Sequence, residues 1–433
     1  MIVNRPSRIR ATITVPPDKS VSHRALMFNA IADGTATIES LLDSEDVRST
    51  ARCLRALGIE IDWPEGSSSA RVQGRGLHGL FESDDVLDCG NSGTTMRLLA
   101  GMLAGSPLLS ILTGDASLRS RPMARVISPL RRMGATIFAR TGDTLAPLVI
   151  KGGSLTGMSY DTPVASAQVK SAILLAGLYA EGETEVREPQ RTRDHTERML
   201  AAMGAPLKTQ GTTVTVGQAT ALTALSLRVP GDISSAAPWM VLAACHPDAE
   251  VTLRSVSTNP TRTGLIDIMR AMGADMEIQE ERTVGGEPVA DIVVRSSRLT
   301  GTNVEGALVP RAIDELPLVA VLGCFAEGET IVRDAAELRV KESDRVEAVM
   351  RVLGRMGASL RAQADGFLVQ GPAAELRGTR VDAGGDHRVG MLAAVAGALA
   401  DGETRIEHDA VGVSYPTFFD DLARASEGAA TAP

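Results

Sequence analysis

Basic side chains recur beside the small polar residues at which helices are expected to begin, a combination suited to binding phosphate and carboxylate groups. The segment Lys19–Arg24 follows two prolines and places an ammonium, the Ser20 hydroxyl and a guanidinium on one helical turn. Unpaired N–H groups and a partial positive charge at a helix N-terminus attract anions. Lys19, Ser20 and Arg24 are therefore predicted to form an anion site. A cap flanked by two solvated cations is the alternative.

Five further segments share this composition, in which polar or small residues precede an apolar helix. Taken one at a time, Ser, Asn and Asp at such positions serve as N-caps. Capping explains less well why lysine and arginine accompany them, and both interpretations stay open at this point. The five segments begin at Asn91, Ser166, Asp232, Asp314 and Gly385.

A second group of residues combines cations with acids that could transfer a proton. Lys341 and Arg345 are four residues apart with Glu342 between them, and none of the three has a capping role. Asp314 precedes an apolar run, where burial would raise the pKa of its carboxyl. These four residues are candidates for ligand binding and general acid–base chemistry.

Two pairs of acids are predicted to be structural instead. Asp344 with Glu347, and Asp194 with Glu197, have the spacing of a capping box, in which the first side chain accepts from the backbone N–H of the second residue. We expect each pair to begin a helix.

An internal repeat predicts the elements that position these residues. Five amphipathic helices end in nearly the same phrase, at intervals of 76, 70, 69 and 84 residues. In each phrase a glycine follows the helix, supplies a left-handed stop and precedes a strand. A second phrase, an apolar helix followed by a turn such as Ala-Glu-Gly-Glu-Thr, alternates with the first. The five glycines are Gly58, Gly134, Gly204, Gly273 and Gly357.

Together the two phrases give six copies of a strand–helix–strand–helix–strand unit. Six such units exceed one domain, so three plus three in two lobes is the economical interpretation. The joint is predicted near Val229–Gly231. The fold class is α/β.

Composition excludes several classes of protein. The chain has 433 residues, a formal net charge of −9 and 3% aromatic residues, which argues against nucleic-acid binding. Its longest apolar runs are shorter than the roughly 20 residues that span a bilayer. The four cysteines have no metal-ligand or disulfide spacing. We expect a cytoplasmic monomer without a metal or cofactor.

Five motifs, in this order, resemble the 5-enolpyruvylshikimate-3-phosphate synthase family over essentially the whole chain. Any one of them alone would be weak support, whereas five in order are strong support. They are DKSVSHR at 18–24, GNSGTTMR at 90–97, LRSRPM at 118–123, RVKESDR at 339–345 and GGDHR at 384–388.

The resemblance implies two lobes, each of three repeated βαβαββ units about a pseudo-threefold axis, an arrangement called an inside-out α/β barrel. It places residues 18–230 in the N-terminal lobe. Residues 1–17 and 231–422 would form the C-terminal lobe, which the first strand completes. Residues 423–433 are predicted to be a frayed tail.

The resemblance also implies a reaction and its residues. The enolpyruvyl group of phosphoenolpyruvate would pass to the 5-hydroxyl of shikimate 3-phosphate, with release of phosphate, in chorismate and aromatic amino acid biosynthesis. Asp314 would accept the hydroxyl proton, Glu342 would protonate the methylene carbon, and Lys19 would take part in catalysis. The positions matched to shikimate 3-phosphate are Lys19, Ser20, Arg24, Ser166, Ala167, Gln168, Arg193, Asp314 and Lys341. Those matched to phosphoenolpyruvate are Lys19, Gly93, Arg121, Gln168, Arg345 and Arg388.

Three positions depart from parts of the family. Val413 stands where some members have a lysine near phosphoenolpyruvate, and Glu337 where some have a substrate-contacting asparagine. Gly93, in place of the alanine of some glyphosate-insensitive members, predicts sensitivity to that competitor, whereas Leu98 and Val413 predict the opposite.

Two rival functions share parts of this pattern. A UDP-N-acetylglucosamine enolpyruvyl transferase would begin with a Lys-Asn pair and carry a loop cysteine, but this chain has Lys19-Ser20 and no cysteine in Arg119–Pro122. A non-catalytic anion-binding scaffold would tolerate the loss of Asp314 and Glu342, whereas an enzyme would not.

Overall fold

The computed structural model describes residues 1–373 and 375–426 of the chain, which alternate between short strands and helices. The strands are β1 Ile2–Val3, β2 Ile9–Ile13, β3 Asp33–Glu39, β4 Glu60–Asp62, β5 Ala70–Arg75, β6 Leu87–Asp88, β7 Leu109–Thr113, β8 Thr136–Ala139, β9 Leu145–Lys151, β10 Ser159–Asp161, β11 Glu183–Arg187, β12 Leu207–Gln210, β13 Thr213–Gly217, β14 Leu227–Arg228, β15 Ala249–Ser257, β16 Met276–Val284, β17 Glu287–Arg295, β18 Leu299–Thr300, β19 Asn303–Val304, β20 Ala326–Val332, β21 Ser359–Gln363, β22 Gly366–Gly371, β23 Arg380–Asp382 and β24 Thr404–Glu407.

The helices alternate with these strands, and two short 3₁₀ helices, Ala336–Val340 and Val411–Val413, accompany them. The α-helices are α1 Lys19–Ala30, α2 Glu45–Ala56, α3 Gly93–Ala104, α4 Ala116–Ser120, α5 Ala124–Arg132, α6 Arg140–Asp143, α7 Ala167–Gly177, α8 His195–Ala202, α9 Ile233–Cys245, α10 Gly264–Ala271, α11 Leu308–Ala312, α12 Leu316–Phe325, α13 Arg345–Arg355, α14 His387–Leu399 and α15 Phe418–Ser426.

The described strands form six small sheets that repeat one order. In each sheet the first two strands are parallel and the third is antiparallel to the second. A parallel pair requires a crossover connection, which a buried helix usually provides. The orders are β14-β3-β5-β4, β6-β7-β9-β8, β10-β11-β13-β12, β2-β15-β17-β16, β18-β20-β22-β21 and β23-β24-β1, with β19 also pairing with β20. The sixfold repeat predicted from the sequence is confirmed.

Small residues allow the apolar helices of the repeats to pack closely. Helices α1, α3 and α7 lie in one core and α9, α12 and α14 in the other, and nearly all of their residues are buried. A Cβ atom on Gly101 of α3 would lie 2.2 Å from the carbonyl oxygen of Ala172 in α7. Glycine and alanine therefore let these helices approach closely, which fits the low aromatic content of the chain.

The predicted glycine stops are present at all five positions. Each glycine follows its helix with a positive φ, between 85° at Gly58 and 112° at Gly134. A residue with a side chain is strained in this left-handed region, so glycine recurs in the phrase because the backbone needs a positive φ there.

The chain divides into two compact units. The amino-terminal unit comprises Pro17–Pro230 and Thr283–Glu287. The carboxyl-terminal unit comprises Met1–Pro16, Gly231–Arg282 and Pro288–Pro433. The segment Thr283–Glu287 includes the tip of the hairpin between β16 and β17.

Two features differ from the prediction that residues 231–422 belong to the C-terminal lobe and residues 423–433 form a frayed tail. The hairpin tip joins the amino-terminal unit, where Glu287 Oε1 lies 2.7 Å from Nδ1 of His195 and both side chains are fully buried. Residues 423–426 are not frayed, because helix α15 continues to Ser426 and buries Ala425 in the core. The remainder of the predicted tail, 427–433, lies outside the described residues.

A helix that spans a lipid bilayer must be both long and apolar. Within residues 1–373 and 375–426, no helix is both long enough and apolar enough to span a membrane.

The glycine stops give a test of backbone strain. Gly204 has a φ of +87° and open space around the position of a Cβ, so Gly204→Ala should lower the free energy of unfolding by about 1 kcal/mol through strain alone. Gly153→Ala is the matched control, because Gly153 has equally open surroundings without a positive φ. Urea unfolding of both variants would measure the difference. Equal stability of the two would contradict the strain argument.

Candidate active site

In the carboxyl-terminal unit, Asp314 lies between helices α11 and α12 and faces three cationic groups. Its Oδ1 atom is 3.3 Å from Arg345 Nη1 and 3.8 Å from Lys341 Nζ. Its Oδ2 atom is 3.7 Å from Arg388 Nη2, and its side chain is 14% exposed. The structure thus brings together four predicted residues that are separated by as many as 74 positions in the sequence. Three cationic groups thus lie within 4 Å of the Asp314 carboxylate.

Arg345 connects Asp314 to two further carboxylates. It begins helix α13 and is 1% exposed. Its Nη2 atom donates to Glu342 Oε2 at 2.6 Å, and its Nε atom donates to Asp386 Oδ2 at 2.9 Å. The buried guanidinium therefore fixes Asp314 and Glu342 relative to each other.

Glu342 remains accessible while it contacts Arg345. Its side chain is 56% exposed. Partial burial raises the pKa of Glu342, but the Arg345 charge, a backbone hydrogen bond and His387 together lower it below the usual value. Glu342 is consequently a carboxylate at neutral pH when no ligand is bound.

Asp386 was not identified from the sequence, although the GGDHR motif contains it. It caps helix α14, accepting from Arg388 N at 2.9 Å, and its other oxygen accepts from Ser343 Oγ as well as from Arg345. Burial raises the pKa of Asp386, but these donors and the Arg345 charge hold it below the usual value. One carboxylate thus binds the Arg345 guanidinium and caps the helix in which Arg388 lies.

Behind Arg388 lies a buried polar network. Glu315 Oε1 is 3.7 Å from Arg388 Nη1 and accepts a hydrogen bond from the Ser234 hydroxyl. Arg262 Nη2 donates to Ser234 Oγ at 2.6 Å. Burial disfavours the charge on Arg388, but Asp314, Glu315 and Asp232 raise its pKa above the usual value. Arg388 therefore stays charged.

Two positions that depart from parts of the family pattern, Glu337 and Val413, lie in this unit. Lys341 Nζ is 3.0 Å from Glu337 Oε1, so Glu337 forms an ion pair with a predicted site residue. Val413, in the second 3₁₀ helix, is 73% exposed. An apolar side chain faces solvent where some relatives have a lysine.

In the amino-terminal unit, Arg24 is buried with neutral partners. Its Nε, Nη1 and Nη2 atoms donate to Thr196 Oγ1 at 2.8 Å, Ser20 O at 3.0 Å and Ser171 Oγ at 3.0 Å. Within the part of the chain that the structure describes, no carboxylate lies within ion-pair distance of Arg24. Burial lowers the pKa of Arg24 to about 10, so it is still charged at neutral pH.

The neighbouring cations are more exposed. Lys19 begins helix α1, is 51% exposed and lies 3.1 Å from Asp46 Oδ2. Arg193 is half-buried in the loop before helix α8 and is close enough to Arg24 to disfavour its charge. One buried cation, Arg24, and two more exposed cations, Lys19 and Arg193, therefore lie near the start of helix α1.

A second cationic cluster surrounds Gly93 at the start of helix α3. Arg97, which sequence reasoning missed, is 5% exposed and donates from Nη1 to Gln168 Oε1 at 2.6 Å. Gln168 Nε2 in turn donates to Thr94 Oγ1 at 3.0 Å. Burial, together with the nearby charges of Arg125 and Arg121, lowers the pKa of Arg97 to about 10. The i, i+4 spacing of Gly93 and Arg97 was the available signal.

The remaining predicted residues border this cluster. Arg121 Nη2 donates to Asn91 Oδ1 at 2.6 Å. Ser166 is the N-cap of helix α7 and Ala167 its first residue; both precede Gln168 and are half-buried. Gly93, Arg121 and Gln168 lie around the same Arg97 side chain, a grouping that the family resemblance implied.

One of the two predicted capping boxes is wrong. Asp344 accepts from Glu347 N at 3.1 Å, as expected. Asp194 makes no such bond, because Arg198 Nε and Arg191 Nη2 bind its carboxylate at 2.8 and 2.9 Å. Ion pairs with residues three and four positions away have replaced the cap.

Comparison with known proteins identifies the family. A family model described as EPSP synthase (3-phosphoshikimate 1-carboxyvinyltransferase) matches residues 3–422. The chain belongs to the EPSP synthase family. Curated relatives named 3-phosphoshikimate 1-carboxyvinyltransferase include one from Gloeobacter violaceus, 54% identical over 96% of each chain, and one from Desulforudis audaxviator, 52% identical over 95% of each. A solved EPSP synthase from Acinetobacter baumannii is 44% identical, covers 98% of each chain and superposes with a TM-score of 0.92. These EPSP synthases also confirm the two-lobe α/β fold class.

The Asp386 geometry predicts an acid-dependent loss of stability. Because its folded pKa is below the usual value of about 3.9, Asp386 stabilises the fold above that pH and loses this contribution as the pH falls through the folded pKa. Asp386→Asn should therefore lower the free energy of unfolding by about 3 kcal/mol at pH 7 and by less near pH 3.

Urea unfolding between pH 7 and pH 3 measures this, with exposed Asp420→Asn as the control. A deficit that stays constant down to pH 3 would show that the charge of Asp386 is not responsible.

Proposed function

We infer that this protein transfers the enolpyruvyl group of phosphoenolpyruvate to the 5-hydroxyl of shikimate 3-phosphate and releases phosphate. The EPSP synthase family match over nearly the whole chain supports this reaction, which belongs to chorismate and aromatic amino acid biosynthesis. The observation that carries the mechanism is the pairing of Asp314 and Glu342 through one buried guanidinium, that of Arg345.

The reaction needs one proton acceptor and one proton donor. The 5-hydroxyl oxygen forms a bond to C2 of phosphoenolpyruvate while the methylene carbon gains a proton, and the tetrahedral adduct then loses phosphate and a methyl proton. We assign Asp314 as the base for the hydroxyl, because its largely buried carboxylate is held beside Arg345, Lys341 and Arg388. We assign Glu342 as the group that exchanges the proton at the methylene carbon.

Glu342 is ionised in the free protein, so substrate binding must change its state. Both substrates carry a phosphate and a carboxylate, and added negative charge nearby raises the pKa of a carboxyl group. The exposed side chain of Glu342 can take up a proton from solvent before it is covered. The resting ion pair with Arg345 is thus compatible with a later role as acid.

Cations bind the substrate anions in this proposal. Arg24 and Arg97 are buried and charged, and neither has a carboxylate within ion-pair distance in the described residues, so an anion would gain strongly from binding beside them. We assign shikimate 3-phosphate to Lys19, Ser20, Arg24, Ser166, Ala167, Gln168, Arg193, Asp314 and Lys341. We assign phosphoenolpyruvate to Lys19, Gly93, Arg121, Gln168, Arg345 and Arg388, with Arg97 added from the structure. A cytoplasmic monomer without a cofactor remains a prediction.

Release of inorganic phosphate on mixing the two substrates tests the function. Asp314→Asn and Glu342→Gln should each reduce turnover about 10²–10⁴-fold, the usual contribution of a general acid or base. Substrate binding should largely survive, because neither acid supplies the main charge for the phosphates.

The control is Glu337→Gln, which removes a neighbouring carboxylate that pairs with Lys341 but has no assigned role in proton transfer. Turnover of the Asp314 and Glu342 variants within threefold of the wild type would remove both from proton transfer. Absence of phosphate release by the wild-type protein would overturn the function itself.

Gly93→Ala should affect the inhibitor glyphosate more than the substrate. A Cβ on Gly93 would lie 2.6 Å from Arg97 Nη1 and 3.6 Å from Arg121 Nη1. The Arg97 guanidinium would therefore have to shift. Glyphosate is slightly longer than phosphoenolpyruvate and should lose more from this crowding. We expect its inhibition constant to rise about 10-fold or more, and the KM for phosphoenolpyruvate to rise less.

Both constants should be measured on the wild type, on Gly93→Ala and on the control Gly153→Ala, whose surroundings are open. Equal shifts in the two constants, or a wild type indifferent to millimolar glyphosate, would show that Gly93 does not control access to this site.

A further inference from the structure

We propose that Lys170 is a positioning residue for shikimate 3-phosphate, acting through the loop that carries Arg193 and the helix start that holds Arg24. The proposal rests on the function inferred above. Lys170 lies in helix α7, two residues after Gln168, and its side chain is 1% exposed. It does not reach solvent, so any effect on substrate must pass through its partners.

The first partner fixes the Arg193 loop. Lys170 Nζ is 2.7 Å from Glu188 Oε2, and Glu188 directly follows strand β11. The Glu188 carboxylate also accepts hydrogen bonds from the backbone N–H of Thr192 at 3.3 Å and from the Thr192 hydroxyl. Arg193 is the next residue. A single carboxylate thus joins the buried ammonium to the turn that presents Arg193.

The second partner fixes the residues around Arg24. Lys170 Nζ is 2.7 Å from Glu197 Oε1, in the first turn of helix α8. The preceding residue, Thr196, accepts from Arg24 Nε at 2.8 Å. Ser171, adjacent to Lys170, bonds to both Thr196 Oγ1 at 2.7 Å and Arg24 Nη2 at 3.0 Å.

Helix α7, the Arg193 loop and helix α8 therefore meet at one ammonium. The cost of burying this charge is offset only while both carboxylates stay in place, because an uncompensated buried charge is strongly unfavourable. The arrangement holds Arg24 and Arg193 at fixed positions before the substrate arrives, which reduces the ordering cost of binding. An apolar residue at 170 would fill the space but would leave the loop unanchored.

The decisive variant is Lys170→Met/Glu188→Gln, which removes one positive and one negative charge and so keeps the cluster's net charge, although it leaves Glu197 without its ammonium partner. We expect its KM and calorimetric Kd for shikimate 3-phosphate to rise about 10- to 100-fold. The KM for phosphoenolpyruvate, measured at saturating shikimate 3-phosphate, should change less than threefold. The control is Lys208→Met, which removes an exposed lysine on strand β12 of the same unit.

Glu188→Gln alone is the second variant, because it removes the negative charge that binds Lys170 and anchors Thr192, while Glu197 still pairs with the ammonium. If the double variant fails to fold, a selective rise in the Kd for shikimate 3-phosphate in Glu188→Gln supports the proposal. A Kd within twofold of the wild type, or equal losses for both substrates, overturns it. A wild type that binds shikimate 3-phosphate but releases no phosphate would refute the proposed function, while the calorimetric comparison still decides the role of Lys170.

Discussion

Burial of positive charge is the constraint on which both candidate clusters depend. An acidic chain could neutralise every arginine with a carboxylate, and Arg345 follows that rule, since three carboxylates surround it. Arg24 and Arg97 do not, because hydroxyl, amide and carbonyl oxygens are their hydrogen-bond partners. A charge that is desolvated but not paired is costly unless an anion completes its environment. In the proposed function, the substrate anions complete the environment of these two arginines.

The repeated fold makes this burial possible. Each core is built from helices rich in alanine and glycine, which approach as closely as Gly101 of α3 and Ala172 of α7. Closely packed helices leave their polar first turns at the edge of the core, where Asp18, Ser92, Asp232 and Asp386 cap them. Among the cations that follow these caps in sequence, Lys19 is exposed, Arg388 is largely buried, and Arg24 and Arg97 are buried. The low aromatic content of the chain fits cores that are built from such closely packed helices.

Sequence reasoning succeeded where a property is local and failed where it depends on a distant partner. The glycine stops, the Asp344 cap and the clustering of Gly93 with Gln168 followed from short patterns or from motif order. The Asp194 cap is an exception among the local properties: it was wrong, because Arg191 and Arg198, three and four residues away, outcompete the backbone for its carboxylate. Arg97, Asp386 and Lys170 were missed because their roles are defined by residues about 20 to 70 positions away, and no spacing rule reports those contacts.

Cutting the chain at Pro230 would not yield two self-sufficient proteins. A fragment of residues 17–230 would retain the buried imidazole of His195 but lose Glu287, its carboxylate neighbour. A fragment beginning at Gly231 would lack β2, which pairs with β15, and the exposed edge of β15 would invite association with other chains. Each half is completed by a segment from the other side of the cut. Gene fusions, split reporters and fragment expression should therefore respect spatial units that the linear order of the chain does not follow.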